Sequence, residues 1–511
     1  MTCYAMSLRQ RSTTASRRGS PYQRQMGPGV SGNAQNDAVP DSLVVVSNRE
    51  PYSHEQDDDG EIQVQSAAGG LTSALDPVMQ SRGGTWVAWG SGDADMAVAD
   101  EGIVEVPPSD PAYDLKRVPL SDAAVQGYYY GYANQVLWPL CHEDTGRIWA
   151  EPAYWEQYRA VNEQFAEAVD TVADAGQPVW FQDYHLALAP RLVRERRPDA
   201  TLLQFWHIPW PAPSVFRHCP HSDALLDGLL ACDIIGFHTA GYAEQFLHCV
   251  DSAFPAATVD TDSGTVTRDG DRTRAVANPL GIDVGGVRDR ARATDVASIR
   301  DTVLGGSRSD TSIRLALGVE RLDYSKGIPE RIEALAHLWD RRPDLRGDFT
   351  YVQKASRTRE GIAAYRRYRA DVVDAIERVN DRFGTDDWQP IVYTEANLDN
   401  ETLAGLYRAA EVAVVTPHRD GMNLVAHEYP VACTDGDGAL VLSELAGAAT
   451  HLDGALTVNP HDIEAIADAI ERALELDEAE TSDRLSRLQH SVETLDSAEW
   501  VARQFSAGQS L

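Results

Sequence analysis

The stretch Val319-Glu320-Arg321-Leu322-Asp323-Tyr324-Ser325-Lys326-Gly327 determines how we interpret the second half of this 511-residue chain. It follows the apolar run 313–318, which predicts a buried strand, and precedes Ile328-Pro329, which is typical of a helix start. Arg321 and Lys326 are therefore predicted in a strand-to-helix loop, at the sheet edge where open α/β sheets bind ligands. Two cations beside a helix N-terminus suit a diphosphate, although two ordinary surface cations would give the same pattern.

Alternating strands and helices extend outward from this stretch in both directions. In the second half, strands are predicted at 313–318, 349–353, 390–394, 412–416, 439–442 and 456–458, with helices at 327–341, 359–379, 400–410, 422–433 and 461–475. In the first half, apolar runs predict strands near 43–47, 85–89, 179–181, 202–206 and 234–237. Two α/β units of comparable size predict two Rossmann-like domains that face a central cleft.

The predicted boundaries follow from composition and linker chemistry. Residues 1–40 form a basic N-terminal extension, with five arginines and no acid up to residue 36, and we expect it to be disordered. The first domain spans 41–283 and ends in the linker-like stretch 278–283, and the second spans 284–480. The segment 481–511 is predicted as a helix that packs back on the first domain.

The chain is strongly acidic, with 78 acidic and 45 basic residues and a net charge of −33. Repulsion from phosphates excludes a general nucleic-acid-binding surface. The only lysines are Lys116, Lys326 and Lys354, against 42 arginines. An acid-rich, lysine-poor surface is typical of proteins that work in high salt, so the composition favours a halophilic, archaeal source over a merely acidic mesophilic protein with a GC-rich gene.

Apolar runs and cysteines narrow the class further. No stretch of 18 apolar residues occurs, so we expect no membrane contact. Six cysteines are scattered without a C-x-x-C motif, which argues against a disulfide framework or a zinc site. We therefore expect a cytoplasmic protein without a metal or another cofactor.

Polar residues follow two successive strands of the first half. Asp183 comes directly after the strand at 179–181, and His207 comes after the strand at 202–206. Each one alone would more often be a cap or a satisfied hydrogen-bonding group. Because both lie at the same sheet edge, we predict that they belong to a site.

Two further features suit a nucleotide. Gly69-Gly70 opens a predicted helix, where backbone N–H groups can approach phosphates, although a glycine pair is often only a turn. Glu428 lies two helical turns beyond Gly421 and could accept hydrogen bonds from two vicinal hydroxyls, as ribose presents. The alternative is a buried glutamate paired with an arginine.

From Leu43 to the C-terminus, the chain resembles the trehalose-6-phosphate synthase family. The resemblance is carried by motifs in family order, namely SNRE (47–50), AGGL (68–71), YYYGYANQVLWP (128–139), QDYH (182–185), HIPWP (207–211), NPLGID (278–283), VERLDYSKG (319–327), TPHRDGMNLVAHE (416–428) and VLSELAGAA (441–449). It implies a GT-B fold, with an acceptor domain followed by a nucleotide-sugar domain, and a retaining glycosyltransferase.

The implied reaction transfers glucose from a nucleotide-glucose, UDP-glucose first among the candidates, to glucose 6-phosphate. The product would be α,α-trehalose 6-phosphate, an intermediate in the synthesis of trehalose as a compatible solute. A separate phosphatase is then implied as a pathway partner, and a homo-oligomer stays open. The nucleobase is also open among UDP, GDP and ADP.

The resemblance assigns roles to residues at matching positions. The implied acceptor-binding residues are Arg49, Tyr129, Asp183 and Arg359. The implied donor-binding residues are Gly69, Gly70, His207, Arg321, Lys326, Leu398, Asp420, Gly421, Met422, Asn423, Leu424, Val425, Ala426, His427 and Glu428. The residues expected to act in catalysis are Asp183, His207, Arg321 and Lys326, with Asp183 orienting the acceptor.

Three departures from the family pattern keep alternatives open. Gln182 replaces a usual histidine, Cys141-His142-Glu143 replaces Phe-His-Tyr, and His427 replaces a lysine. The second departure leaves glucosylglycerol phosphate, or another sugar phosphate, as an alternative product. A catalytically silent regulatory subunit is the alternative outside enzymes.

Overall fold

The computed structural model describes residues 39–67, 69–304 and 313–507. The predicted basic extension lies outside the described residues, apart from its last two positions. Within the described residues, no helix combines the length and the apolar character that a membrane span requires.

Ten of the twelve strands in the described first half build one large sheet, and the other two pair separately as a hairpin. The twelve strands are β1 (Leu43–Arg49), β2 (Tyr52–Gln56), β3 (Ile62–Ser66), β4 (Gly84–Trp89), β5 (Ile103–Val106), β6 (Tyr113–Val118), β7 (Val179–Gln182), β8 (Leu202–Trp206), β9 (Ile234–Phe237), β10 (Thr258–Asp260), β11 (Thr265–Arg268) and β12 (Asp271–Ala277). Among the described residues, ten of them pair in the order β10-β11-β12-β9-β8-β7-β1-β4-β6-β5, and the seven from β12 to β6 run parallel. The apolar runs form the centre of the sheet because both of its faces are covered.

Helices cover this sheet. They are α1 (Gly70–Arg82), α2 (Asp122–Ala124), α3 (Trp138–Cys141), α4 (Pro152–Val172), α5 (Ala189–Arg196), α6 (Pro213–Phe216), α7 (Ser222–Leu229) and α8 (Ala240–Ala253). A π-helix spans Val125–Leu137, and 3-10 turns occupy Thr145–Arg147 and Tyr184–Leu186.

The second half forms an all-parallel sheet. Its strands are β13 (Arg314–Arg321), β14 (Phe349–Ser356), β15 (Ile391–Thr394), β16 (Val412–Val415), β17 (Ala439–Ser443) and β18 (Leu456–Val458), in the order β15-β14-β13-β16-β17-β18. Its helices are α9 (Val284–Ala293), α10 (Val296–Leu304), α11 (Ile328–Arg341), α12 (Ala363–Phe383), α13 (Asn400–Ala409), α14 (Val425–Ala432), α15 (Ile463–Leu474), α16 (Glu478–Glu493) and α17 (Ser497–Ser506). Further 3-10 turns span Tyr324–Lys326, Pro343–Leu345 and Gly447–Thr450.

The position of Arg321 differs from the prediction. Strand β13 continues three residues beyond 318, so Arg321 is its last residue, while Lys326 ends a 3-10 turn. The extension exists because β14 also continues, and Arg321 pairs in register with Ser356. Gly327 follows with φ 64°, a left-handed conformation that favours glycine, and opens α11.

Two parts of the first half were not predicted in their observed form. The acidic residues 57–61 form the tip of the β2–β3 hairpin, in which Tyr52 pairs with Ser66. Strand β3 is exposed along its length, so it carries no buried apolar pattern. The aromatic run forms a π-helix, whose wider turns have no simple sequence period.

The C-terminal segment forms two helices instead of one. In α16, Leu485, Leu488 and Val492 pack into the core of the second sheet. The chain then breaks, because Asp496 caps a new helix by accepting a hydrogen bond from the Ala498 N–H at 2.8 Å. Helix α17 alone packs on the first sheet, through Trp500, Val501 and Phe505.

We expect Trp500→Ala to lower the free energy of unfolding by about 3–5 kcal/mol. Trp500 is fully buried and lies 4.8 Å from Trp180 and 4.9 Å from Phe205 between ring centroids, so truncation leaves a cavity between α17 and the sheet. Denaturant unfolding monitored by tryptophan fluorescence measures the change. Trp149→Ala is the matched control, since Trp149 is 60% exposed. Equal stability of the two variants would contradict the anchoring role.

Candidate functional site

A cleft lies between the carboxyl ends of the two sheets, with a cavity of about 510 Å³. Most of the predicted site residues line it, namely Arg49, Gly69, Gly70, Tyr129, Asp183, His207, Arg321, Lys326, Arg359, Asp420, Met422, Asn423, Leu424, Val425 and Glu428. These residues are up to 379 positions apart in the chain. The structure therefore brings together in one cleft the residues that were predicted to share a site.

Four predicted residues do not line the cavity. Ala426 and His427 are fully buried, and the His427 Nε2 lies 2.8 Å from the His451 Nε2. Helical periodicity explains this, because α14 turns Val425 and Glu428 toward the cleft and the two residues between them toward the core. Leu398 packs partly against the core of the second sheet.

Gly421, the fourth of these residues, lies where the two halves touch. A Cβ there would lie 2.0 Å from the His207 carbonyl oxygen. At the other wall, a Cβ on Gly70 would lie 2.1 Å from the Leu424 Cδ1. Glycine at position 421 therefore lets the two backbones close on each other, and glycine at position 70 leaves room for the Leu424 side chain.

Lys326 is paired in the cleft, which the sequence did not indicate. Its Nζ lies 2.5 Å from the Asp420 Oδ2, and the Asn423 Nδ2 donates to the same oxygen at 3.0 Å. Burial raises the pKa of Asp420, but Lys326 more than offsets this and the net pKa is lowered. Asp420 therefore stays ionised and holds a defined position, with Lys326 only 7% exposed.

Asp323, whose role was not predicted from the sequence, bonds the loop 322–327 to both halves of the chain. Its Oδ1 accepts from the Ser325 N–H at 3.0 Å and from the Trp138 Nε1 at 3.3 Å. Its Oδ2 accepts from the Arg359 guanidinium at 3.0 Å. The side chain is fully buried, which raises its pKa, yet Arg359, Arg321 and Lys326 keep the net pKa below the ordinary value.

Arg359 is held on several sides. It also donates to the Tyr184 hydroxyl at 3.1 Å and to the Tyr365 hydroxyl at 2.6 Å. Its guanidinium carbon lies 3.9 Å from the centroid of the Trp138 ring. Its backbone is left-handed, with φ 49°, as are those of Asp183 (φ 67°) and Asn423 (φ 78°). Such strained conformations cluster at functional sites.

Asp183 directly follows β7, precedes the 3-10 turn Tyr184–Leu186 and lies partly buried. Its Oδ1 accepts from the His207 N–H at 3.3 Å, and no arginine or lysine of the described residues lies within ion-pair distance. Burial raises the pKa of Asp183 to about 7, although hydrogen bonds from the backbone N–H groups of Tyr184 and His207 lower it. The carboxylate is therefore half protonated near neutral pH.

His207 is oriented by Gln182, the residue at the first departure from the family pattern. The His207 Nε2 lies 3.0 Å from the Gln182 Oε1, and this contact fixes the direction of the ring. Burial and the neighbouring His238 hold the pKa of His207 well below its usual value, so the ring is neutral. The Gln182 Nε2 has no hydrogen-bond partner within the described part of the chain.

One end of the cleft carries uncompensated positive charge. Arg49 and Arg321 have no ion pair with any described residue, and the Arg321 guanidinium lies 5.4 Å from the Trp138 centroid. Burial raises the pKa of Tyr129, but Arg359 and Arg49 lower it by a larger amount, so that the net pKa is about 8. This end of the cleft is built to receive an anion.

Arg49 is followed by a buried charge cluster, which we define as Glu50, His54, Asp95 and Arg117. The Arg117 guanidinium contacts the Glu50 carboxylate at 3.0 Å and the Asp95 carboxylate at 2.9 Å. His54 Nδ1 lies 2.7 Å from the same guanidinium. Burial and Asp95 raise the pKa of Glu50 to about 7. The cluster fixes the chain one residue beyond Arg49.

The two halves are also bonded at the rim of the cleft. Glu143, at the second departure, pairs with Arg419 at 2.8 Å. The Tyr242 hydroxyl donates to the Asp420 carbonyl at 3.0 Å. Glu143 is thus directed at the second half of the chain, whereas Cys141 is fully buried.

Several cleft residues were not singled out from the sequence. Trp138, Tyr184, His185, Lys354 and Ser356 line the cavity besides the predicted residues. Trp138 and Tyr184 lie within motifs that carry the family resemblance, and Lys354 is one of only three lysines in the sequence. These features could have identified them as candidate site residues. The described residues contain no group of three His, Cys, Asp or Glu side chains arranged to hold a metal ion.

Comparison with known proteins gives consistent matches. The model of glycosyltransferase family 20 matches residues 41–509. A trehalose-6-phosphate synthase of Mycobacterium sp. (strain KMS) is 39% identical over 471 residues, covering 90% of this chain and 93% of the relative.

Two solved structures agree with the fold. The α,α-trehalose-phosphate synthase (UDP-forming) of Burkholderia xenovorans, in complex with glucose-6-phosphate, matches at TM-score 0.82 and 31% identity, covering 92% of this chain and 100% of that one. An E. coli structure bound with UDP-2-fluoro glucose matches at 0.81 and 30%, covering 92% and 99%. The GT-B fold prediction is confirmed. These relatives are bacterial, and the halophilic archaeal source stays a prediction.

We expect Asp183→Asn to stabilise the protein increasingly as pH rises. The folded-state pKa of about 7 lies above the ordinary value of 3.8 for an aspartate, so ionisation of Asp183 opposes folding progressively between these pH values. The thermal midpoint of the variant should exceed that of the wild type by at least about 2 °C at pH 8, and the difference should shrink toward pH 4. A difference independent of pH, measured by scanning calorimetry, would contradict the raised pKa.

Proposed function

Because the chain belongs to glycosyltransferase family 20, we propose that it transfers glucose from a nucleotide-glucose to glucose 6-phosphate with retention. The product is α,α-trehalose 6-phosphate, and UDP-glucose is the first candidate donor. The observation that carries the proposal is the cleft itself. Arg49 on the first half and Arg321 on the second half have no ion pair with a described residue, and Lys326 is paired with Asp420.

The part of the cleft around Arg49, Arg359 and Tyr129 suits the acceptor phosphate. Arg49 is the last residue of β1, and Arg359 belongs to the second half of the chain. Both guanidinium groups lower the pKa of the Tyr129 hydroxyl. A sugar phosphate held there would place its ring toward Asp183. The Asp183 carboxylate, free of a strong cation, can accept a hydrogen bond from an acceptor hydroxyl.

The second-half wall suits the donor. Arg321 and Lys326 flank the end of β13 and stabilise a departing diphosphate without a metal. Glu428 bonds to the Tyr407 hydroxyl at 2.9 Å and not to an arginine, so its other oxygen can accept from ribose. Asp420 and Asn423, fixed by each other and by Lys326, suit the hydroxyls of the transferred glucose.

Retention needs either a carboxylate nucleophile or attack on the face that the leaving group vacates. Of the four acids that line the cleft, Asp420 is bonded to Lys326, and Glu320 is bonded to Arg331 at 2.7 Å. Glu428 is bonded to the Tyr407 hydroxyl and is assigned to the ribose. Asp183 belongs to the acceptor side. We therefore favour front-face attack, in which the leaving phosphate oxygen takes the proton of the acceptor hydroxyl as the glycosidic bond forms.

Contacts between the two halves support transfer over hydrolysis. The Gly421–His207 backbone contact and the Glu143–Arg419 pair hold the cleft narrow. A narrow cleft excludes water that would otherwise compete with the acceptor.

The alternatives are weaker on specific grounds. Glu143 bonds to Arg419 at the rim, so the departure at Cys141–Glu143 leaves Arg49 and Arg359 in place and gives no structural reason to change the acceptor. The intact constellation of Arg321, Lys326, Asp183 and Glu428 in the cleft argues against a silent regulatory subunit.

The deciding experiment incubates the purified protein with labelled UDP-glucose and glucose 6-phosphate in molar KCl. We expect a phosphorylated disaccharide whose anomeric protons both have the α configuration by NMR. Glycerol 3-phosphate and fructose 6-phosphate serve as comparison acceptors. Preference for either of them, or release of free glucose alone, would exclude the proposed reaction.

The wider setting is also proposed. The five described cysteines are free and buried, which suits the reducing cytoplasm. A separate phosphatase would convert the product to trehalose, used as a compatible solute in a high-salt cell. A homo-oligomer is compatible with this assignment.

We expect Arg49→Ala to raise the KM for glucose 6-phosphate by about tenfold or more, because a charged hydrogen bond to the phosphate is lost. The KM for the donor should change little. Initial-rate kinetics with each substrate varied gives the split. Arg272→Ala, at an exposed arginine of β12, is the control. An unchanged acceptor KM would remove Arg49 from the acceptor site.

We expect Lys326→Arg to lower kcat at least about tenfold, equivalent to about 1.4 kcal/mol. The ammonium lies 2.5 Å from Asp420 at a position only 7% exposed, and a planar guanidinium needs more room. Lys116→Arg is the control, because Lys116 lies outside the cleft. Its Nζ donates to the backbone carbonyl of Glu101, which also lies outside the cleft. Near-wild-type turnover of the Lys326 variant would refute the need for a compact cation.

A further inference from the structure

Lys354 is a cleft residue that the proposed reaction has not used. It lies on β14, lines the cavity and is 9% exposed. Its Nζ donates to the Ser356 hydroxyl, and no carboxylate of the described residues lies within ion-pair distance. Burial lowers the pKa of Lys354, while Glu320 raises it in part. An ammonium with spare donors therefore faces an open cavity.

The register of the sheet places Lys354 on one particular face. Lys354 pairs with Val319, just as Val352 pairs with Leu317. Val319, Leu317 and Val352 all pack into the core that contains Tyr407. Lys354 therefore lies on the face that α13 and α14 cover, and Glu428 is bonded to Tyr407 on that same face.

The acceptor end of the cleft lies elsewhere. Arg359 bonds to Tyr365, whose ring packs into the core on the opposite face of the sheet. Arg321 lies two residues beyond Val319 along β13, about 7 Å toward the strand end. A diphosphate on Arg321 and a ribose on Glu428 would therefore direct the base toward the wall that contains Lys354.

We propose that Lys354 selects the nucleobase of the donor by donating a hydrogen bond to a ring carbonyl oxygen. The inference deepens the proposed function and rests on it for the placement of diphosphate and ribose. An ammonium offers donors and no acceptor. Uracil and guanine present carbonyl oxygens, whereas adenine presents an amino donor in the corresponding place. The cleft should therefore favour a uridine or guanosine donor over an adenosine donor.

Composition supports the need for a lysine at this position. The chain uses arginine 42 times and lysine three times, and two of the three lysines line the cleft. Beside Val319 and Ser356, the compact ammonium of a lysine fits the edge of a base, whereas the larger planar guanidinium of an arginine would not.

The test measures binding of UDP, GDP and ADP by calorimetry in molar KCl, without an acceptor. We expect the wild type to bind UDP or GDP about tenfold or more tightly than ADP. Lys354→Met should lose most of that preference, with ADP affinity changed less than about threefold. Lys354→Gln is the second variant, since it keeps an N–H donor and should retain part of the preference. Lys116→Met is the control outside the cleft.

Equal weakening of all three nucleotides would overturn the inference, because the ammonium would then act on the shared diphosphate. An unchanged preference in both Lys354 variants would also overturn it. The proposed function fails differently. If the base preference depends on Lys354 but no trehalose 6-phosphate forms with glucose 6-phosphate, the transferase assignment fails while the base-reading role stands.

Discussion

The carboxylate of Asp323 is the constraint on which the site depends. It is fully buried and accepts from the Trp138 indole of the first half and from Arg359 of the second. Removing one partner from such a buried pair leaves an uncompensated charge, which typically destabilises a protein by about 3–5 kcal/mol. The loop that carries Lys326 and the arginine that reaches across the cleft are therefore fixed together. The same carboxylate thus both holds the two halves together and fixes the positions of the cations.

The charge distribution of the whole chain gives this arrangement its selectivity. A protein with a net charge of −33 repels anions over most of its surface. In the cleft, however, Arg49, Arg321 and Lys354 have no ion pair with the described residues. Low-dielectric walls focus the field of those cations, while molar salt screens the acidic surface much more than it screens buried groups. Anions are thus attracted to the cleft, whereas the rest of the acidic surface repels them.

The sequence was most informative where apolar periodicity and strand ends coincide. Every predicted strand of the second half appears within a few residues of its expected position, and Arg321, Asp183 and His207 meet in one cleft. Local patterns could not show partners. Lys326 was predicted as a loop cation that suits a diphosphate, and the sequence did not indicate its pairing with Asp420, 94 positions away.

Conformation was the second limit of the sequence analysis. His427 lay in a motif that implied ligand contact, but one residue of helical rotation turns it into the core. The left-handed backbone of Arg359 and the π-helix at Val125–Leu137 depend on tertiary packing and have no strong local signature. The β2–β3 hairpin was missed because its second strand has no buried face.

The charge cluster behind Arg49 has a consequence for descent. Glu50, His54, Asp95 and Arg117 satisfy one another in a space closed to water, so the loss of any single member leaves the others unmatched. Stepwise exchange across these four positions passes through intermediates that fold poorly. Lineages should therefore inherit the four residues together or replace them in a concerted change.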